Sequence, residues 1–349
     1  QFLNISSNYQ TLSGTLPQQD YSYIETEPGQ GFYTWIDYNS NGIKELNEFE
    51  IAQFPDEATY LRIILPTVNY LPTHQNKFTQ SVVINPQQWS QKSGIKKLFS
   101  KFSNRTTILV DNKQQKTLNS INLNPFDLNN DNVLGLNYNF NNSLFFNRGL
   151  KKFSTTFNYI KAKNKNSTTI DDLSGTNELR QLQFEHKIGG FWQFNFNAST
   201  GKNTTTSLNY ENRNFYLKNK FINPTLSYYY NDKTYFSFYF ESKNKENSIG
   251  NLETLQQQKF GASLNYSKSE KNLLKADVNL FKNEFTGNVY SPVAYQMLEG
   301  LQPGNNYTWS LLFTKQLNSF LHLNLNYLGR KSETSNAIHT GSIQLKALF

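Results

Sequence analysis

Apolar and polar residues alternate along most of the chain, and this period of two constrains the fold more than any other feature. Successive side chains of a β-strand point to opposite faces, so an alternating segment has one apolar and one polar face. In residues 341–349, Ile343, Leu345, Ala347 and Phe349 share one face, and polar residues lie between them. The pattern predicts a strand that buries one face and ends on an aromatic residue, as the closing strand of a bacterial membrane barrel does.

The same alternation recurs from about residue 132 onward, in segments that turn-forming residues separate. The segments are 153–159, 192–198, 236–241, 260–267, 274–280, 307–314 and 321–327. Tilted strands of about 9–11 residues span a bilayer, and bacterial barrels close with an even number of strands. We therefore predict an all-β fold: an antiparallel transmembrane outer-membrane β-barrel of about 14 strands, within a range of 12–16.

Composition agrees with strands that cross a membrane. The 349 residues are 37% hydrophobic, which suits a wall that needs only every second residue to be apolar. Phe, Tyr and Trp make up 15%, as aromatic girdles at two membrane interfaces would require. An aromatic-rich β-sandwich is the alternative. The absence of cysteine fits an extracytoplasmic chain without disulfides, or any protein without a redox role.

The net charge of +8 raises the question of an anionic partner. We interpret the lysines as residues of solvated turns, among them Lys161, Lys163, Lys165, Lys243 and Lys245. They do not form a stripe, so we predict contact with outer-membrane lipids and lipopolysaccharide and no nucleic-acid binding. The polar strand faces carry mostly Asn, Ser, Thr and Gln with few charges, which indicates a packed or plugged lumen.

The N-terminal part departs from the regular pattern. We predict a first strand over 1–12, an insert or cap over 13–103, and the main body of the barrel over 104–349. We predict a small EF-hand-like insert that contains a calcium-type loop, strands and a short amphipathic helix within 89–102. Gln1 is either a mature N-terminus after signal cleavage or the start of a retained part of a longer protein, and the abrupt strand-like start favours the second.

One motif within the insert is specific. Residues 37–48 fit the calcium-loop pattern D-x-[DN]-x-[DN]-G-x5-E, in which Gly42 permits the sharp turn. The pattern predicts a structural Ca²⁺ held by side-chain oxygens, one backbone carbonyl and a bidentate glutamate. The predicted ligands are Asp37, Asn39, Asn41, Ile43 through its carbonyl, Glu45 directly or through water, and Glu48. The alternative is a polar turn rich in Asn and Gly.

Nothing comparable indicates catalysis. The four histidines are His74, His186, His322 and His339. His322 shares the polar face of its strand with Asn324, and outer-membrane lipases use Ser, His and Asn. No sequence feature marks a nucleophile, so we predict a histidine that packs in the lumen and a protein that is not an enzyme.

Two stretches carry a resemblance to a known group. Residues 31–50, with their continuation through 58–62 to 66–67, resemble a group that carries the signature G-x-Y-x-W-x-D-Y-N-x-N-G-I-x-E-L-N-E-F-E. Residues 297–306, 327–331 and 338–341 resemble the end of the same group. The chain is similar to the C-terminal barrel region of large, functionally uncharacterised outer-membrane proteins of Bacteroidota. The resemblance implies the outer membrane of a Gram-negative bacterium and a longer parent protein. It implies no activity and no catalytic residue.

These observations leave three functional hypotheses. The first is a non-enzymatic subunit of a multiprotein machine that assembles or exports proteins, with other outer-membrane proteins or lipoproteins as partners. The second is a passive or gated channel for small solutes. The third is an outer-membrane hydrolase, which would need His322 beside a serine and an asparagine.

Overall fold

A computed structural model describes residues 2–66, 69–116, 122–128, 131–149, 152–269 and 272–347. In these ranges it contains eighteen strands and two helices. The first strands and helix are β1 (Leu3–Pro17), β2 (Tyr21–Glu25), β3 (Tyr33–Trp35), β4 (Phe49–Ile51), β5 (Tyr60–Ile64), β6 (Tyr70–Ile84), α1 (Ile95–Phe99), β7 (Phe102–Gln115), β8 (Val133–Phe146) and β9 (Phe153–Ser167). The others are β10 (Asp172–Ile188), β11 (Trp192–Ser207), β12 (Phe215–Asn231), β13 (Thr234–Asn247), β14 (Thr254–Ser269), β15 (Asn272–Thr286), α2 (Pro292–Leu298), β16 (Gly304–Gln316), β17 (Leu321–Ser332) and β18 (Ile338–Ala347). Neither helix, nor any other in the described ranges, is long and apolar enough to cross a membrane.

Fourteen strands form one large antiparallel sheet in the order β1-β6-β7-β8-β9-β10-β11-β12-β13-β14-β15-β16-β17-β18. The prediction of an all-β antiparallel fold is confirmed, and the number of strands equals the predicted 14. Among the described residues, β1 pairs only with β6 and β18 only with β17, so the sheet has two free edges and closure of the barrel stays a prediction. Phe349, the predicted final aromatic residue, lies outside the described residues.

The register of the large sheet gives it two different faces. Residues that pair directly across neighbouring strands lie on the same face, as Phe157, Leu182, Ala198 and Ile222 do. We call this the outer face. The opposite, inner face carries Leu217 and Leu255, which are buried under α2, so the two faces are distinguished by what packs on them.

The connections differ in length between the two ends of the sheet. At one end, which we call the turn end, β10–β11, β12–β13 and β16–β17 are joined by residues 189–191, 232–233 and 317–320. The β6–β7 connection, with α1, is a longer exception at that end. At the other end, the insert end, the connections include 18–69, 116–132 and 287–303.

The segment 18–69 forms a second, four-stranded sheet in the order β2-β5-β3-β4. Because β6 already belongs to the large sheet, this insert is narrower than the 13–103 expected from the sequence. The calcium-type loop lies between β3 and a 3-10 turn at Leu46–Glu48. An EF-hand places a helix on each side of its loop, and such a helix pair is absent from the described part of the insert. The resemblance to an EF-hand is therefore limited to the loop.

The lysines interpreted as turn residues lie in strands. Lys161, Lys163 and Lys165 belong to β9, and Lys243 and Lys245 belong to β13. The interpretation was wrong because these strands have about 14–15 residues and continue past their apolar segments, where both faces become polar. The predicted short helix is present as α1, whose side chains Ile95, Leu98 and Phe99 are exposed.

Candidate functional site

The insert rests on a platform that α2 forms on the inner face of the large sheet. Ser291 caps α2 by accepting a hydrogen bond from the Ala294 amide, and Pro292 occupies the first turn, where no amide hydrogen is needed. Val293 and Met297 pack into one apolar cluster with Leu255 of β14. Met297 is 0% exposed. Complete burial of such a side chain stabilises by about 1.5–3 kcal/mol, so α2 is fixed to the wall.

The insert contacts this platform through backbone and side-chain hydrogen bonds. The Tyr295 hydroxyl of α2 donates to the Ile51 carbonyl at 3.1 Å and accepts from the Gln53 amide at 3.3 Å. Arg330 of β17 forms ion pairs with Asp56 at 2.5 Å and with Glu57 at 2.7 Å. Its guanidinium lies 4.1 Å from the ring centroid of Phe54, a cation–π contact. Burial raises the pKa of Glu57, and the adjacent Arg330 opposes that rise.

A second ion pair joins the insert to the β11–β12 connection. The Arg213 guanidinium lies 2.9 Å from the Glu50 carboxylate and donates to the Asn47 carbonyl at 2.6 Å. The Glu50 side chain is only 2% exposed and also accepts from the Tyr38 hydroxyl at 3.3 Å. Burial raises the pKa of Glu50 although Arg213 opposes the rise. Glu50 is therefore a buried carboxyl group whose cationic partner, Arg213, comes from the β11–β12 connection.

Charged residues also line the inner wall beside the insert, contrary to the expectation of a lumen with few charges. Glu299, which follows α2, pairs with Lys243 at 3.1 Å and Lys245 at 2.8 Å. Glu241 pairs with Lys243 at 3.1 Å and with Lys259 at 3.8 Å. Burial favours the neutral form of Glu299, but the two ammonium groups outweigh it and lower its pKa. Phe54, Lys243, Lys259 and Arg330 line a cavity of about 370 Å³ between the insert and the wall.

The twelve-residue loop is folded by hydrogen bonds from its own amides to the predicted ligand side chains. The two Asp37 carboxylate oxygens accept from the Asn41 and Gly42 amides at 3.1 and 2.8 Å. Asn39 accepts from the Asn41 amide at 3.0 Å, and Asn41 accepts from the Ile43 amide at 2.6 Å. Gly42 has a φ of +73°, a conformation that favours glycine. The sequence therefore predicted the turn, including the need for Gly42.

The acidic residues at the end of the loop have separate hydrogen-bond partners. Glu45 accepts from the Asn39 amide nitrogen at 3.0 Å. Glu48 is 1% exposed, and its Oε2 accepts from the Trp35 indole at 2.9 Å, whereas its Oε1 is buried without a hydrogen-bond partner among the described residues. Within the described ranges, no three Asp, Glu, His or Cys side chains converge as a metal-binding group. The loop offers carboxylate, Asn side-chain and backbone carbonyl oxygens, which are the ligands that Ca²⁺ prefers. The unpartnered Glu48 oxygen fits a place among them.

His322 lies on the face that the sequence interpretation expected, whereas His74 lies in a polar cluster that it did not expect. His322 lies on the inner face of β17, opposite Gln316 and Lys346, and no serine bonded to it is found in the described ranges. His74 instead lies between the Thr11 hydroxyl at 3.0 Å and the Asn76 carbonyl oxygen at 3.1 Å, with Ser13 at 3.5 Å.

This His74 cluster lies on the outer face beneath residues 122–128. The Asn76 and Asn112 side-chain amides donate to the Asn122 and Asp127 carbonyls at 2.7 and 2.8 Å. Asn76 is 0% exposed and His74 is 6% exposed. The cluster therefore fastens the 122–128 segment to the wall. Sequence reasoning missed it because its members come from β1, β6, β7 and the connection that follows β7.

Comparisons with known proteins give little further information. No family model and no curated protein sequence matches the chain. Four chains of solved structures match. One is described as outer-membrane expressed OmpT of Vibrio cholerae; it is 9% identical, the TM-score is 0.33, and the alignment covers 95% of this chain and 88% of that chain.

Proposed function

We propose that the protein is an outer-membrane β-barrel, and the outer face of the large sheet supports this proposal. Near the turn end, this face carries four rows of exposed or half-buried apolar residues. On β11 they are Trp192, Phe194, Phe196 and Ala198, and on β15 they are Leu274, Ala276, Val278 and Leu280. Four rows extend over roughly 20 Å along a strand, close to the apolar band of about 25 Å in membrane barrels.

The two ends of the sheet support one orientation in the membrane. Outer-membrane barrels have short periplasmic turns and longer extracellular loops. We therefore assign the turn end to the periplasm and the insert end, with residues 18–69, to the extracellular side. The exposed Ile95, Leu98 and Phe99 of α1 lie at the turn end, where they would enter the membrane interface.

Within that membrane we propose a non-enzymatic subunit of a multiprotein assembly or secretion machine. The observation that carries the proposal is the pair of free edges at β1 and β18. An unpaired strand edge in lipid leaves amide and carbonyl groups without partners, which costs several kcal/mol for each group. Both edges therefore need a strand to pair with, and in this proposal a protein partner supplies strands that complete the barrel. The insert on the inner face leaves less room for free solute passage.

The second candidate is a passive or gated channel, in which β1 pairs with β18 and the insert acts as the gate. The cavity of about 370 Å³ beside Arg330 is the observation that favours it. In this alternative the protein would work alone.

Engineered cysteines separate the two candidates, because the chain contains no cysteine of its own. Single cysteines at Ser7 of β1 and at successive positions of β18 would be oxidised in native membranes. A disulfide forms only when the Cα atoms are about 4.4–6.8 Å apart. An internal β1–β18 bond in all molecules, together with ion conductance of the isolated protein in planar bilayers, would contradict the machine. Cross-links to other outer-membrane proteins would support it.

A pull-down gives the complementary measurement. A tag in the exposed connection 333–337 at the insert end would be used to isolate the protein from mild detergent. Outer-membrane proteins or lipoproteins in stoichiometric amounts are expected. Migration as a lone, conducting barrel would favour the channel instead. A variant tagged at the same place with Arg330→Ala tests whether the docked insert is needed for the partners.

We also propose that residues 37–48 bind a structural Ca²⁺ through Asp37, Asn39, Asn41, the Ile43 carbonyl, Glu45 and Glu48. Binding at a free concentration of about 100 times Kd would stabilise the insert by about 2.7 kcal/mol. Calorimetric titration of the full chain with Ca²⁺ measures the Kd of the loop. Glu48→Gln is expected to abolish binding, while the control Glu27→Gln removes an insert carboxylate outside the loop and is expected to leave it unchanged. Equal titrations of both variants and the parent would refute the site.

A further inference from the structure

The outer face carries a group of cations on β9 to β12, beside the apolar rows described above. The row Phe157, Leu182, Ala198 and Ile222 is apolar. The next row toward the insert end contains Arg180, Thr200 and Lys220, and the one after it contains Lys161, Glu178, Lys202 and Lys218. We call Lys161, Arg180, Lys202, Lys218 and Lys220 the basic patch.

The charge of the basic patch is not neutralised by its neighbours. The five cations of the basic patch have two neighbouring carboxylates on the same face, Glu178 and Glu246, so the net charge is +3. Arg180 pairs with Glu178 at 3.1 Å, but its side chain is 61% exposed, so the pair is weak and Arg180 stays accessible. Lys202, Lys218 and Lys220 are exposed and form no salt bridge with any residue that the structure describes.

The position of the basic patch relative to the apolar band specifies the ligand. Neighbouring rows on one face of a strand are about 7 Å apart. The cations occupy the first and second rows beyond the last apolar row, and so lie about 7–14 Å from it. This is where headgroup phosphates lie when acyl chains cover the apolar rows. The long side chains can reach the phosphates while their stems stay on the apolar wall. A shallow cavity of about 250 Å³, lined by Arg180, Lys202, Lys218 and Lys220 among others, offers room for such a group.

We propose that the basic patch binds the phosphate-bearing headgroup of an anionic lipid in the leaflet at the insert end. Arg180 offers planar paired donors to phosphate oxygens, and the three exposed lysines supply point charges. A soluble phosphorylated molecule would meet the same cations but would leave the adjacent apolar rows uncovered. The proposal rests on the proposed membrane location.

The test compares lipid selectivity in two matched variants of the full chain. The patch variant is Lys202→Gln, Lys218→Gln and Lys220→Gln. The control variant, Lys92→Gln, Lys96→Gln and Lys233→Gln, removes the same charge from exposed positions at the turn end. Each protein is reconstituted into phosphatidylcholine vesicles with and without phosphatidylglycerol, and the lipids retained on the extracted protein are counted by native mass spectrometry.

The parent and the control variant are expected to retain phosphatidylglycerol preferentially. The patch variant is expected to lose that preference by roughly tenfold or more, since each surface cation contributes a several-fold factor. The preference of the parent should also weaken at high salt. Equal retention by the patch and control variants would overturn the proposal, as would full displacement of the lipid by inorganic phosphate.

Flotation with pure phosphatidylcholine vesicles separates this result from the membrane proposal. A protein that floats but shows no lipid preference refutes the basic patch alone. A protein that does not float refutes the membrane location, and the lipid site with it.

Discussion

Replacement of Arg213 by alanine is expected to release the insert from the large sheet in a pH-dependent manner. The Arg213 guanidinium is the cation that lies 2.9 Å from the Glu50 carboxylate, which is 2% exposed. Without it, Glu50 must either remain charged in a buried place or take up a proton. Breaking one partner of a buried pair typically costs about 3–5 kcal/mol.

Protonation sets an upper limit on this cost. Bringing a carboxyl group with an ordinary pKa of 4.5 to its neutral form at pH 7 costs about 3.4 kcal/mol, at 1.36 kcal/mol for each pH unit. At about pH 5 the same limit is only about 0.7 kcal/mol. The folded pKa of Glu50 is raised, so its neutral form favours the docked insert. The contribution is fully present below the unfolded pKa and is lost as pH rises through the folded one. Arg213→Ala should raise the folded pKa of Glu50 further, so that the pH range over which the docked insert loses stability extends toward neutral pH.

Hydrogen exchange of β2–β5 in reconstituted vesicles measures the opening free energy of the insert. Arg213→Ala should lower it by up to about 3 kcal/mol at about pH 7 and by less than about 1 kcal/mol at about pH 5. The double variant with Glu50→Gln should recover most of the loss, since no charge remains to be buried. Lys44→Ala, which breaks an exposed pair with Glu25 and a cation–π contact with Tyr60, is the control and should lower the opening free energy by no more than about 1 kcal/mol, equally at both pH values. A loss that is equal at both pH values, or that Glu50→Gln does not relieve, would refute the reasoning.

Three further changes test other parts of the structure. A Cβ at Gly329 would lie 2.1 Å from the Trp309 ring. Gly329→Ala should therefore destabilise the protein by about 1–3 kcal/mol in urea titrations and shift the Trp309 fluorescence emission. An unchanged urea midpoint would show that the ring moves freely. Glu299 has a lowered pKa, so its contribution is present above about pH 4.5 and is lost as pH falls through the folded pKa; Glu299→Gln should therefore remove part of the acid sensitivity of α2 in hydrogen exchange, and an identical acid profile would contradict this. His74→Ala should increase protease cleavage at 122–128, because the cluster that holds this segment is lost. Unchanged cleavage would contradict the role assigned to the His74 cluster.

The alternating residues predicted the fold because burial of one strand face is a local property. Each of the segments around Phe194, Phe238 and Val278 lies in a strand of the large sheet. The ends of the strands could not be predicted in the same way. Lys161 and Lys243 continue strands beyond the apolar rows, and a lysine between polar residues has the same local signature in a strand as in a turn.

The candidate site was predictable only where it is contiguous in the chain. Gly42 and the ligand-type residues of 37–48 were recognisable because the turn uses neighbouring side chains. The partners of the insert were not, because Glu50 meets Arg213 and Asp56 meets Arg330 across 163 and 274 positions of sequence. Such pairs are determined by the register of the large sheet, which no single segment specifies.

The placement of charge on the large sheet has a consequence for how the insert and the membrane are related. Outward cations such as Lys202 lie at the insert end, and inward cations such as Lys243 and Arg330 lie toward the same end. The inward ones are neutralised by Glu299 and by Asp56 and Glu57, two of which belong to the insert. Removal of the insert would leave Arg330 without its carboxylates on the inner wall. The docked insert therefore balances the inner charge of this end, while the outward cations remain available for anionic headgroups.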